Sequence, residues 1–108
     1  MTDVVTLSPK DLAARLERGE DLLLLDVRER DEHEICRIAG SILIPMSELS
    51  VRIAELDPDR PTVCICHHGV RSAHVAAALA RLDFAALYNL SGGVDRWARD
   101  VDPSMARY

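Results

Sequence analysis

The chain has 108 residues, 48% of them hydrophobic and few aromatic, enough for one aliphatic core but not two. It is therefore read as a single domain, residues 1–108, and a net charge of -5 excludes non-specific nucleic-acid binding, which needs a basic face. No apolar run approaches the length of a membrane span and the N-terminus does not read as a signal peptide. Three cysteines, an odd number, fit a reducing, cytoplasmic setting better than a disulfide framework.

In chain order, Val4 to Leu7 reads as a short edge strand. Ser8-Pro9 supplies an N-cap with proline at the first helical position, and a helix follows from Lys10 to Arg18, stopped by Gly19. Leu22 to Asp26 is an apolar run ending in an acid, the pattern of a central parallel strand buried on both faces. The charged segment Val27 to Arg37 is read as partly helical, with Cys36 partly exposed. Ser41 to Ile44 is expected to be a strand, closed by Pro45, and Ser47 is expected to cap a helix running to about Leu56. Asp57 to Pro61 is a turn, Thr62 to Ile65 a buried strand, and Ala86 to Leu90 a last strand. Gly92-Gly93 leads into a short helix around Val94 to Arg99, with Trp97 its packing anchor, and a tail begins at Val101.

Strands alternating with helices imply an α/β fold with a mostly parallel central sheet flanked by helices. The functional crevice of such a sheet lies at the carboxyl ends of its strands, where the reading places both Asp26-Val27-Arg28 and Cys66 to Arg71. Cys66-His67-His68-Gly69-Val70-Arg71 reads as a tight loop, and Ser72 is expected to open an alanine-rich helix whose Val75, Leu79 and Leu82 share a face. A strand that delivers a cysteine into a loop before a helix N-terminus favours the thiolate, because backbone N–H groups and the helix dipole converge on the sulfur. Gly69 lets the backbone turn through positive φ. Cys64 reads as a small buried core residue, and Asp26 with Arg28 as a fold-supporting ion pair.

The segment Cys66 to Ser72 resembles the active-site loop of the rhodanese (sulfurtransferase) family. Leu25-Asp26-Val27-Arg28 followed by Glu32 resembles that family's first signature, and Leu90 to Trp97 its second. The tail from Val101-Asp102-Pro103-Ser104 to Arg107-Tyr108 is similar to rhodanese domains joined to enzymes that adenylate ubiquitin-like sulfur carriers. The resemblance implies a rhodanese-like three-layer fold and a sulfur relay without cofactor. Cys66 would take a sulfane sulfur from a small donor such as thiosulfate, hold it as a persulfide and pass it to a thiophilic acceptor. His67, His68, Gly69, Val70, Arg71 and Ser72 would bind the substrate, with Asp26 and Arg28 supporting them from behind. An adenylating or sulfur-carrier protein would be met in trans. Where the family often has Gly-His-Ile-Pro-Gly-Ala, this chain has Cys36-Arg37-Ile38-Ala39-Gly40-Ser41, which makes Arg37 a residue to test for substrate contact.

Two other chemistries compete. Four residues separate Cys66 from Arg71, one fewer than in cysteine-dependent phosphatases, so this loop suits a single sulfur better than a phosphoryl group. A regulatory alternative would have Cys66 condense with Cys64 or Cys36 on oxidation. A metal is not expected: Cys64, Cys66, His67 and His68 are too crowded for a tetrahedral site, and strand alternation turns neighbours to opposite faces.

Overall fold

The computed structural model describes residues 2–108. Five strands, β1 (Val4–Leu7), β2 (Leu23–Asp26), β3 (Ile42–Leu43), β4 (Thr62–Ile65) and β5 (Leu87–Leu90), form one sheet in the order β1-β5-β4-β2-β3. Every pairing is parallel; Leu25 lies opposite Cys64, and Asp26 opposite Ile65. The helices are α1 (Pro9–Glu17), α2 (Arg30–Ile35), α3 (Leu49–Arg52), α4 (Val70–Arg81) and α5 (Gly93–Asp100).

The central apolar runs are continuous because the sheet is covered on both sides. Side-chain alternation sends Leu23, Leu25, Cys64 and Cys66 into one core with Val75, Leu79 and Phe84 of α4 and its exit. Leu22, Leu24, Val63 and Ile65 enter a second core with Leu12 of α1 and with Val94 and Trp97 of α5. Trp97, 7% exposed, is the packing anchor expected of it. Ser8 caps α1 by accepting from the Asp11 N–H at 3.1 Å.

Three local expectations are corrected. Ser47 does not cap a long helix: residues 46–48 and 53–55 are 3₁₀ turns flanking the single turn of α3, and the Ser47 hydroxyl donates to Glu29 at 3.1 Å. Helix α4 begins at Val70, not Ser72, and Leu82 falls just past its end at 55% exposure, while Ala76 and Ala80 pack inward instead. Cys36 is buried, because Arg28 donates to its carbonyl oxygen at 2.6 Å and draws the end of α2 inward. The tail expected from Val101 has no helix or strand and is tied to α5: the N–H groups of Val101 and Asp102 both donate to the Trp97 carbonyl, and Arg107 pairs with Asp95 at 3.1 Å.

Candidate active site

The loop after β4 carries Cys66 to Gly69 across the carboxyl edge of the sheet and into α4. Gly69 is the N-cap of α4 at φ +97°, and no side chain caps the helix. A Cβ at this position would press on the Gly92 nitrogen and the Leu90 carbonyl, so glycine serves both the turn and the close approach of two loops. First-turn N–H groups have no acceptor within their own helix. Here the sulfur is an acceptor: the Gly69 N–H reaches Cys66 Sγ at 3.1 Å and the Ser72 N–H at 3.3 Å. The Ser72 hydroxyl stands 3.2 Å from the same sulfur and donates to Asn89 Oδ1 at 2.5 Å. Asn89 in turn donates to the Gly69 carbonyl at 3.1 Å, tying β5 to the loop.

A second clasp holds the loop from α5. The Val94 N–H donates to the Cys66 carbonyl at 2.9 Å and the Asp95 N–H to the His67 carbonyl at 3.1 Å. Gly93, at φ +60°, leaves room for those carbonyls; a Cβ there would overlap both. Of the double glycine, Gly93 is therefore a steric requirement of the cysteine loop, whereas a Cβ at Gly92 would meet the Arg96 side chain.

Charge around the loop is arranged in two linked pairs. Asp26 and Arg28 form the expected buried ion pair, 2.7 Å long and excluded from solvent. Burial opposes the Arg28 charge, but the hydrogen bonds of Asp26 and Tyr108 outweigh it and raise the guanidinium above its ordinary value. Arg71 is not turned toward the sulfur: both of its terminal nitrogens bind Glu32, at 2.7 and 2.8 Å. That bidentate contact is the main reason the Glu32 carboxyl is held down at about 2. Glu32 also accepts from the Glu29 N–H at 3.1 Å, closing the first turn of α2.

His67 and His68 stand at the surface of the loop with ring centroids 3.9 Å apart. The other face of His67 is stacked on Tyr108, centroids 3.9 Å apart and planes 10° from parallel. Burial, then the neighbouring His68, pushes His67 below its ordinary value. Val70 points outward, Arg37 donates to the His33 carbonyl, and no group of potential metal ligands occurs among the described residues. Cys64 is fully buried, and its thiol is pushed up to about 12, first by burial and then by the charge of Cys66.

Of the expected site residues, Gly69 and Ser72 are thus brought to Cys66, whereas Val70 points outward and Arg71 turns to Glu32; Asp26 and Arg28 pair with each other. Asn89 and Tyr108 belong to the same cluster and were not singled out from the sequence. A polar side chain in the otherwise apolar Ala86–Leu90 run was the available signal for Asn89; no local signal marks Tyr108.

The rhodanese-like domain profile matches residues 8–100. A probable adenylyltransferase/sulfurtransferase, MoeZ of Mycobacterium tuberculosis, is 38% identical over 105 residues, covering 95% of this chain but only 27% of MoeZ, so the chain spans about a quarter of that relative. The thiosulfate sulfurtransferase GlpE of Coxiella burnetii is 32% identical over 85 residues, 79% of each chain. The crystal structure of a rhodanese-related protein from Thermoplasma volcanium superposes with a TM-score of 0.81 at 32% identity, covering 90% of this chain and 93% of that one. A parallel sheet that presents a cysteine loop between α4 and the double glycine of α5, and a profile match over most of its length, make this chain a member of the rhodanese-like domain family.

Proposed function

We propose that this chain, working as one rhodanese-like domain in a reducing compartment, is a sulfurtransferase whose nucleophile is Cys66. The observation that carries the reading is the convergence of the Gly69 and Ser72 N–H groups on a single Sγ, with the Ser72 hydroxyl beside them. The two N–H donors suit the negative sulfur that stands there before and after transfer. In the first half-reaction the Cys66 thiolate attacks the sulfane sulfur of a donor such as thiosulfate. The donor's S–S bond breaks and its electron pair leaves with sulfite, while the new S–S bond makes a Cys66 persulfide. An acceptor nucleophile then attacks the outer sulfur and the Cys66 thiolate departs. No net oxidation occurs. Backbone from His67 to Ser72 cradles the transferred sulfur, Val70 and His68 shape the rim, and Arg71 offers the cation for an anionic donor.

Likeness to MoeZ supports a more specific reading, in which the acceptor is a sulfur-carrier protein supplied by an adenylating partner and thiosulfate is one donor among several. Likeness to GlpE supports thiosulfate itself as donor. Mass spectrometry after incubation with thiosulfate is the test: wild type is expected to gain one sulfur on the Cys66 peptide and release it to cyanide. Cys66→Ser is expected to lose thiosulfate:cyanide transfer altogether, while Cys64→Ala retains most of it. Substantial turnover by Cys66→Ser overturns the assignment.

A further inference from the structure

The segment after α5 returns to the cysteine loop, where Tyr108 stacks on His67. We propose that Tyr108 is a positioning residue of this site: its hydroxyl, backed by Arg28, is the seat that lets Glu32 release Arg71 to an anionic sulfur donor. The donor part of this proposal rests on the sulfur-transfer reading above.

The hydrogen bonds run in one direction. Arg28 Nη1 donates to the Tyr108 hydroxyl at 3.0 Å, and that hydroxyl donates to Glu32 Oε2 at 2.8 Å. The same Glu32 oxygen accepts from Arg71 Nη2 at 2.8 Å. One carboxylate therefore lies between two cations, directly against Arg71 and through a phenol against Arg28. Tyr108 owes its place to contacts other than Glu32: the ring stack on His67 and the Arg107–Asp95 ion pair one residue earlier. Burial pushes the phenol up to about 12, so it remains a hydrogen-bond donor at neutral pH.

Arg71 is the cation of the loop and in this structure it is already neutralised. A donor anion must displace Glu32, whose side chain is only 17% exposed, and a carboxylate left there without donors is costly. With Tyr108 in place the displaced carboxylate keeps the phenol and the Glu29 N–H. Without the hydroxyl, Glu32 leans harder on Arg71 and its charge repels the incoming anion. Tyr108 therefore acts on charge selectivity, not on the reactivity of the sulfur itself.

Alkylation of Cys66 in the full chain reads that selectivity independently of sulfur transfer. Rates would be measured with iodoacetate, an anion, and iodoacetamide, its neutral counterpart, and assigned to Cys66 by peptide mass spectrometry. Tyr108→Phe keeps the ring on His67. It is expected to leave the iodoacetamide rate unchanged and to lower the iodoacetate:iodoacetamide ratio about threefold, the scale of one solvent-screened charge contact. Glu32→Gln is expected to raise the ratio, and adding Tyr108→Phe to it is expected to change nothing further. An unchanged ratio in Tyr108→Phe, equal slowing of both reagents, or an undiminished drop in the Glu32→Gln background overturns the proposal. The two readings fail separately: absence of any sulfur on wild-type Cys66 removes the sulfur-transfer reading even where the ratio responds, and sulfur loading with an unresponsive ratio removes only the role of Tyr108.

Discussion

Gly93 offers a direct measure of how strongly α5 grips the cysteine loop, because Gly40 provides its control. Both glycines have positive φ, +60° and +85°, but a Cβ at Gly40 would meet nothing within 4 Å, whereas one at Gly93 would overlap the Cys66 and His67 carbonyls. Gly40→Ala is therefore expected to cost only the backbone strain of a left-handed alanine, about 1–2 kcal/mol. Gly93→Ala carries the same strain and also forces the loop away, breaking the Val94–Cys66 and Asp95–His67 hydrogen bonds. Each such bond is worth about 0.5–1.5 kcal/mol net, so the total loss is expected at about 2–5 kcal/mol. Many domains of this size tolerate such a loss. Urea unfolding of both variants would give the difference, provided the m-values match that of the wild type. Thiosulfate loading of Cys66, followed by mass spectrometry on the folded fraction, would show the second effect: near-wild-type loading for Gly40→Ala and a steep fall for Gly93→Ala. Equal stability of the two variants together with equal loading would refute the claim that the second signature exists to seat the loop.

Two further outcomes follow from the charge arrangement. Asp26→Ala should leave the Arg28 guanidinium buried without its carboxylate and cost about 3–5 kcal/mol, read from chemical denaturation; a loss below about 1 kcal/mol would mean that the Cys36 carbonyl and Tyr108 suffice to hold the charge. Glu32 is depressed in the folded chain, so its contribution is complete above its ordinary value of 4.5 and is lost as pH falls toward about 2. The stability difference between wild type and Glu32→Gln should shrink across that window and stay flat from there up to neutral pH; a difference independent of pH would remove the Arg71–Glu32 pair as its cause.

The elements that were legible in the chain are those whose surroundings are symmetrical or locally capped. Leu22 to Leu25 announces a strand because both faces of the sheet are covered, and Ser8-Pro9 announces α1 because cap and first turn are adjacent in sequence. Ser72 misled for a physical reason: serine is a favoured N-cap, but here the first-turn N–H groups are directed to a sulfur and glycine supplies the turn. Cys36 misled because its neighbours are charged, and its burial depends on Arg28 eight residues earlier. The partner of Arg71 was within the quoted signature, yet nothing in the spacing of Glu32 and Arg71 says that they meet. Tyr108 lies furthest from legibility, since its place depends on the route of the chain after α5.

The parallel sheet also dictates when the reactive cysteine becomes sheltered during synthesis. No two strands form a hairpin, so no pairing can be completed locally, and the first strand must wait for β5, the last, before it has a neighbour. The groups that clasp the Cys66 loop come with β5, from Asn89, and after it, from Val94 and Asp95. A nascent chain halted after α4 would carry Cys66 on an unclasped loop beside a half-built sheet. Between the emergence of α4 and that of α5 the cysteine is therefore without the groups of Asn89, Val94 and Asp95 that hold its loop in the folded chain.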